Sequence, residues 1–243
     1  MLLTIDVGNT YIKTAVFEQD ILLQKDILEH KDWKISLKNI LNKFLKVNNI
    51  IVSSVGKLNK EDFLFHTNDI TVHFIDENTK FPFTNLYATP TTLGIDRKIL
   101  ASGAVLKYPK KNRLVIDAGT CITYDFIDDN DNYIGGAISP GIRLRYESLH
   151  NYTAKLPLLK KDFPSTIIGN STNQSIHSGV VNGVSFEIDE FINQYSNQYD
   201  NFIIILTGGD SEFLAKRLKN TIFANSNFLL ESLNQTFQYN KND

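Results

Sequence analysis

Leu3-Thr-Ile-Asp-Val-Gly-Asn9, continued by Thr10-Tyr-Ile-Lys13, sets a short apolar strand before a turn that holds a carboxylate, a glycine, two small polar side chains and a lysine. Glycine lets the backbone approach a ligand closely, and its neighbours offer N–H and hydroxyl donors to an anion. Lys13 can place a point charge on a phosphate. Asp6 can hold a hydrated magnesium ion. The parts suit a nucleotide phosphate cradle. A hairpin turn with solvated polar residues also accounts for them, because Asn, Gly and Thr are ordinary turn formers.

The order recurs in Leu114-Val-Ile-Asp-Ala-Gly-Thr120. Each copy places apolar-Asp-x-Gly-polar at a strand end, and each is followed by another strand-like run, here Ile122 to Ile127. Two such units predict an internally duplicated α/β fold with two facing phosphate loops. The spacing of the pair is far more specific than either copy alone.

Working outward, residues 2–7, 12–18 and 21–28 read as a three-stranded meander between turn signals. Trp33, Leu37, Ile40, Leu41, Phe44 and Leu45 recur at helical spacing. Strands are expected over 50–53 and 71–75, with a short helix over 60–67 between them. That order, βββαβαβ, is half of a duplicated fold. Residues 81–90 are irregular; Thr91 or Thr92 is expected to cap a helix that reaches about Lys107. A second meander is expected over 113–139, with Asp128-Asp-Asn-Asp-Asn132 as a solvated hairpin turn that lacks the pattern of a calcium loop. Ser139-Pro140 reads as a helix start. A loop over 157–170, a helix over 176–195, a strand over 202–206 and a last amphipathic helix after Gly208-Gly209-Asp210 follow. The tail 239–243 reads as frayed. The two halves are placed at 1–108 and 109–243.

With 243 residues the chain is long enough for a sizeable core. Apolar residues make up 42% and charged residues 21%, which suits a globular protein. A net charge of −2 argues against nucleic acid as the main partner. The N-terminal run is interrupted too early by Asp6 for a signal peptide, and the run Phe202 to Leu206 is too short to span a bilayer. One cysteine, Cys121, excludes an intrachain disulfide and suits a reducing cytoplasm. Cys121 reads as a small packed thiol. The five histidines show no metal-ligand spacing and read as structural.

Several separated blocks together resemble the type III pantothenate kinases, a family of the actin-like, sugar-kinase and Hsp70 group. Asp6-Val-Gly-Asn-Thr-Tyr-Ile-Lys13 resembles its first phosphate motif, Gly94-Ile-Asp-Arg97 its Gly-x-Asp-Arg segment, and Asp117-Ala-Gly-Thr-Cys-Ile-Thr123 its second phosphate motif. Gly135-Gly-Ala-Ile-Ser-Pro-Gly141 with Thr153-Ala-Lys-Leu-Pro157, and then Leu206-Thr-Gly-Gly-Asp210, are similar to two later blocks. Ile95 departs from the family's usual alanine, and 76–90 matches more loosely.

The resemblance implies a duplicated actin-like (ribonuclease H-like) ATPase fold, two βββαβαβ halves around a central cleft. It implies ATP-dependent phosphorylation of the primary hydroxyl of pantothenate, the first step towards coenzyme A. A non-catalytic regulatory relative that binds nucleotide, or another small-molecule kinase of the same fold, is the alternative. On this resemblance Asp96 is the catalytic base. Asp6, Val7, Gly8, Asn9, Thr10, Tyr11, Ile12, Lys13 and Thr120 bind ATP, with Asp6 holding magnesium, directly or through water. Tyr87, Gly94, Ile95, Asp96, Arg97 and Thr172 bind pantothenate, with Ser171 next in register to Thr172. Asp117 binds a monovalent cation, potassium or ammonium, which offsets phosphate charge where a second lysine is absent. Gly208 and Gly209 let the chain pass close to adenosine. A homodimer in the cytoplasm is expected, without nucleic acid or membrane partners.

Overall fold

A computed structural model of the chain describes residues 1–54, 61–63, 70–220 and 222–241. In chain order the elements are β1 (Leu2–Val7), β2 (Ile12–Glu18), β3 (Ile21–Leu28), α1 (Trp33–Lys43), β4 (Asn49–Ser54), β5 (Thr71–Phe74), β6 (Thr84–Asn85) and α2 (Ile95–Lys107). There follow β7 (Asn112–Ala118), β8 (Cys121–Ile127), β9 (Asn132–Pro140), α3 (Ile142–Asn151), α4 (Thr172–His177), α5 (Gly183–Ser196), β10 (Phe202–Thr207), α6 (Ser211–Ala215), β11 (Phe223–Ala224) and α7 (Phe228–Lys241). Most of the helix expected over 60–67 lies outside the described residues.

Contacts divide the chain into two units, Met1–Lys107 with Asn227–Asp243, and Tyr108–Ser226. The expected second half, 109–243, is therefore not one contact unit: its last helix packs with the first.

In the first unit the strands lie in the order β3-β2-β1-β4-β5. β1 pairs antiparallel with β2 and parallel with β4, and β4 runs parallel to β5. Every residue of β1 is buried, as expected of an apolar run covered on both faces. Leu3, Ile5 and Val7 share a core with Trp33, Leu37 and Ile40, the three α1 residues that helical spacing brings to one side. Burying a side chain such as Leu37 or Ile40 contributes about 1.5–3 kcal/mol. α7 packs on β1, β2 and β4 and lies along α2. That helix pair is tight: a methyl group at Gly103 would stand 1.9 Å from Ser232 Oγ, and Ser102 Oγ lies 2.8 Å from Thr236 Oγ1.

In the second unit β9, β8, β7, β10 and β11 lie side by side in that order. β7 pairs antiparallel with β8 and parallel with β10, and β10 runs parallel to β11. Strand for strand this repeats the first unit, so the duplication seen in the motifs extends to the sheets. Its core joins Leu114, Ile116, Tyr124 and Leu206 to Val180, Val184, Ile188 and Ile192. Asp128-Asp-Asn-Asp-Asn132 is a hairpin turn: Asp128 Oδ1 accepts the N–H groups of Asn130 and Asn132 at 3.0 and 2.8 Å. The fully buried Arg113 donates to the Asp128 carbonyl at 2.5 Å and pairs with Asp131.

Four local expectations need correction. Ser139 and Pro140 end β9 rather than starting a helix, because Pro140 is still paired with Cys121; Gly141 is the cap of α3. Thr91 and Thr92 lie in a separate 3₁₀ turn, Pro90–Thr92, and α2 begins only at Ile95. The helix expected over 176–195 is α4 and α5 joined by a π-helical turn, Ser178–Asn182. The tail is helical to Lys241, held where Asn240 exchanges hydrogen bonds with the Lys80 backbone at 2.9 and 3.0 Å.

Candidate functional site

The first phosphate-type turn joins β1 to β2. Gly8 N–H donates to the Tyr11 carbonyl at 3.1 Å and closes the turn around Asn9 and Thr10. Asn9 and Tyr11 are exposed, Thr10 is half-buried, and Val7 and Ile12 anchor the two strand ends in the core. His30 Nε2, just past the end of β3, lies 3.0 Å from the Gly8 carbonyl and braces the turn. Asp6, 5% exposed, stands on β1 opposite Lys13 on β2 and opposite Ser53 on β4. Directly paired residues project to one face of a sheet. Lys13, Asp6 and Ser53 therefore form a row of cation, anion and hydroxyl across three strands. Ser53 is fully buried, and its Oγ has no hydrogen-bond partner among the described residues.

The start of α2 gathers the Gly-x-Asp-Arg residues. The Gly94 carbonyl accepts Lys98 N–H at 3.1 Å, so Gly94 opens the helix and Asp96 falls in its first turn. Asp96 Oδ1 accepts Arg97 N–H at 2.8 Å. A methyl group at Gly94 would lie 2.5 Å from that same Oδ1, so glycine leaves room for the carboxylate. Arg97 is buried, and its guanidinium stands 5.7 Å from the centre of the Tyr87 ring. Tyr87, Gly94, Ile95, Asp96 and Arg97 thus belong to one neighbourhood of the first unit. The half-buried Ile95 is the first residue of the helix.

The second turn is one residue shorter. Gly119 N–H donates to the Cys121 carbonyl at 2.9 Å, and Thr120 is exposed at the tip. Cys121 is also exposed, not packed as expected, because it sits on the outward side of this hairpin. Asp117 stands opposite Thr123 on β8 and Thr207 on β10. The aspartate and the hydroxyl of the parallel neighbour recur from the first unit; the lysine does not. Other backbone crowds this turn. Gly141 N–H donates to the Thr120 carbonyl at 3.0 Å, and Asp210 N–H to the Ala118 carbonyl at 2.9 Å. Gly208, at φ +94°, would carry a methyl group 2.4 Å from both the Ala118 carbonyl oxygen and Asp117 Oδ1.

Thr172 lies elsewhere in the second unit. It is the first residue of α4, after Ser171, whose hydroxyl accepts Gln174 N–H at 3.4 Å. Both line an open cavity of about 770 Å³ with Leu149, Leu156 and Ser175. His177, at the other end of α4, lies 2.7 Å through Nδ1 from Tyr146 Oη. Burial pushes the Tyr146 phenol up to about 12, so the hydroxyl stays protonated. Beside α3, Glu187 accepts Tyr124 Oη at 2.9 Å, Ser139 Oγ at 2.5 Å and Arg145 Nη2 at 2.6 Å. Sequence spacing pointed to none of His30, Ser53 or Glu187. The first two are found by cross-strand register and loop contact, which leave no periodic signal.

Residues 2–194 match the family model for type III pantothenate kinase. A type III pantothenate kinase of Flavobacterium johnsoniae is 64% identical over 239 residues, covering 98% of each chain. Among solved structures, one described as a conserved Baf family transcriptional activator from Campylobacter jejuni superposes with a TM-score of 0.63 at 22% identity, over 99% of this chain and 100% of that one. A ROK family protein from Streptococcus pneumoniae superposes with a TM-score of 0.53 at 15% identity, over 100% and 99%. At those identities the two structures report a shared fold. Among the described residues no helix is long and apolar enough to cross a membrane.

Proposed function

The chain belongs to the type III pantothenate kinase family, and from that premise we propose how its residues phosphorylate the primary hydroxyl of pantothenate with ATP, the opening step of coenzyme A synthesis. Phosphoryl transfer asks chiefly for alignment and for neutralised charge. The observation that carries the reading is the pair of aspartate rows at matching strand positions, one with a lysine and one without.

Lys13, with the donors of Asn9 and Thr10, holds the phosphates of ATP at the first turn; Val7, Gly8, Tyr11 and Ile12 shape that turn, Gly8 letting the backbone come close. Thr120 contributes a hydroxyl at the second. The residues fit a hydrated divalent cation at Asp6: a buried carboxylate lies beside a buried hydroxyl that has no hydrogen-bond partner among the described residues. Magnesium, when bound, offsets phosphate charge and orders the oxygens. Asp117 fits a monovalent cation, potassium or ammonium, because Thr123 occupies the place of Lys13 and glycine at 208 keeps a side chain from crowding the carboxylate. Gly208 and Gly209 border the adenosine.

Asp96 orients the pantothenate hydroxyl and takes its proton as the phosphoryl group transfers. Its hydrogen bond from Arg97 N–H fixes one oxygen and leaves the other for the substrate. Arg97, held against Tyr87, grips the anionic end of pantothenate or the moving phosphoryl group. The family resemblance adds Thr172, at the start of α4, to the pantothenate-binding residues, and Gly94 and Ile95 adjoin Asp96 at the start of α2. We place the enzyme in the cytoplasm as a homodimer.

The test is turnover with ATP and pantothenate, read as phosphopantothenate by mass spectrometry. Asp96→Asn is expected to lower kcat by about 10²–10⁴, the usual range for a general base, with an unchanged circular dichroism spectrum. Near-normal turnover in the folded variant rejects the assignment.

A further inference from the structure

We propose that Ser53 is a positioning residue for the divalent cation that accompanies ATP, its hydroxyl accepting a hydrogen bond from a cation-bound water. The inference rests on the reading of Asp6 as the cation's carboxylate and adds a group that none of the sequence motifs contains.

Three observations lead to it. Ser53 is the direct cross-strand partner of Asp6, so the two side chains emerge side by side on one face. Ser53 is fully buried, and its Oγ meets no hydrogen-bond partner among the described residues. Buried hydroxyls are almost always satisfied by protein, ordered water or a bound group. Lys13 flanks Asp6 on the other side, so charge divides the row. A phosphate oxygen is drawn to the Lys13 side. A divalent cation held by Asp6 would be disfavoured beside Lys13, which leaves Ser53 as its uncharged cross-strand neighbour. Magnesium sheds its waters reluctantly and commonly keeps several of them. A hydroxyl with two lone pairs beside that ion is well suited to accept from one of those waters.

The second unit repeats the arrangement. Thr207, buried on β10, is the partner of Asp117 just as Ser53 is of Asp6. A hydroxyl beside the aspartate on the parallel neighbour is thus common to both rows, whereas the lysine is present in one. Sequence comparison of the two Asp-x-Gly motifs does not find this, because Ser53 and Thr207 lie on strands remote from the motifs.

The test is manganese binding to the purified full-length enzyme with a non-hydrolysable ATP analogue, followed by electron paramagnetic resonance. Asp6→Asn and Ser53→Ala are each expected to weaken manganese binding by about tenfold or more, the usual cost of losing a group that orients a metal's shell. Ser53→Thr keeps the hydroxyl and is expected to restore binding. Binding of the analogue without metal is expected to be unchanged in Ser53→Ala. If Ser53→Ala fails to fold, Ser53→Cys replaces the hydroxyl with a weakly hydrogen-bonding group of similar size and carries the same expectation. Wild-type manganese affinity in Ser53→Ala, with loss in Asp6→Asn, overturns the role of Ser53 alone. Wild-type affinity in Asp6→Asn overturns the Asp6 reading and this inference with it.

Discussion

Gly208 and Gly209 are neighbours in one turn, yet their tolerance to substitution differs. Gly208 has φ +94° and a backbone oxygen and the Asp117 carboxylate where a side chain would stand; a methyl group at Gly209 meets nothing within 4 Å. Gly208→Ala is expected to cost at least about 1–2 kcal/mol for the left-handed backbone alone and to push on Asp117. The variant's urea midpoint should fall, and any potassium stimulation conferred through Asp117, as proposed, should weaken, while Gly209→Ala should match wild type in both. Equal behaviour of the two variants contradicts this placement. The glycine pair was legible as a turn; which of the two is constrained depends on how close β7 comes, and no local signal carries that. Asp6 and Lys13 show the same limit. Their chemistry could be read from the motif, but that they face each other across two strands is a matter of register.

Between elements, Glu187 ties α5 to the end of β9 and the start of α3 through Ser139 and Arg145. Burial pushes its carboxyl up, but hydrogen bonds from Arg145, Ser139 and Tyr124 outweigh burial and leave it below the usual range. Its folded value therefore lies below its unfolded one. The stability it contributes is full above the unfolded value of about 4.3 and is lost as pH falls through the folded value. Glu187→Gln is expected to unfold at lower urea than wild type near neutrality, with the gap closing on acidification below about pH 4. A gap that persists unchanged at acid pH would show that the charge is not what matters. The helix of Glu187 could be foreseen from Val180, Val184, Ile188 and Phe191, whose spacing makes an apolar face. Its polar partner could not, because Ser139 and Arg145 come from other elements. The same tie explains why Ser139-Pro140 misleads as a helix start: strand pairing holds the segment extended until Gly141.

At the scale of the whole molecule, α7 carries the chain back from the second unit to the first. Its buried Leu229, Leu230 and Leu233 lie on a helix that packs along α2 and against the central strands. Removing Asn227–Asp243 is expected to expose this surface and lose the cooperative unfolding of the first unit, seen as a lost thermal transition with retained binding of a hydrophobic dye. A truncated chain that melts like wild type would refute this. We also expect a homodimer at working concentrations. Sedimentation showing monomer alone, under conditions of full turnover, would exclude it.

Sequence by itself determined the duplicated α/β architecture and the two aspartate turns. These rest on hydrophobic periodicity, turn chemistry and motif spacing, all of which act over a few neighbouring residues. Tertiary structure alone decided that Ser53 stands beside Asp6, that Thr123 takes the place of Lys13 in the second unit, and that the last helix returns to the first. Each of these is a pairing between residues distant in the chain, set by strand register and helix packing, where free energy depends on contacts that local sequence does not encode.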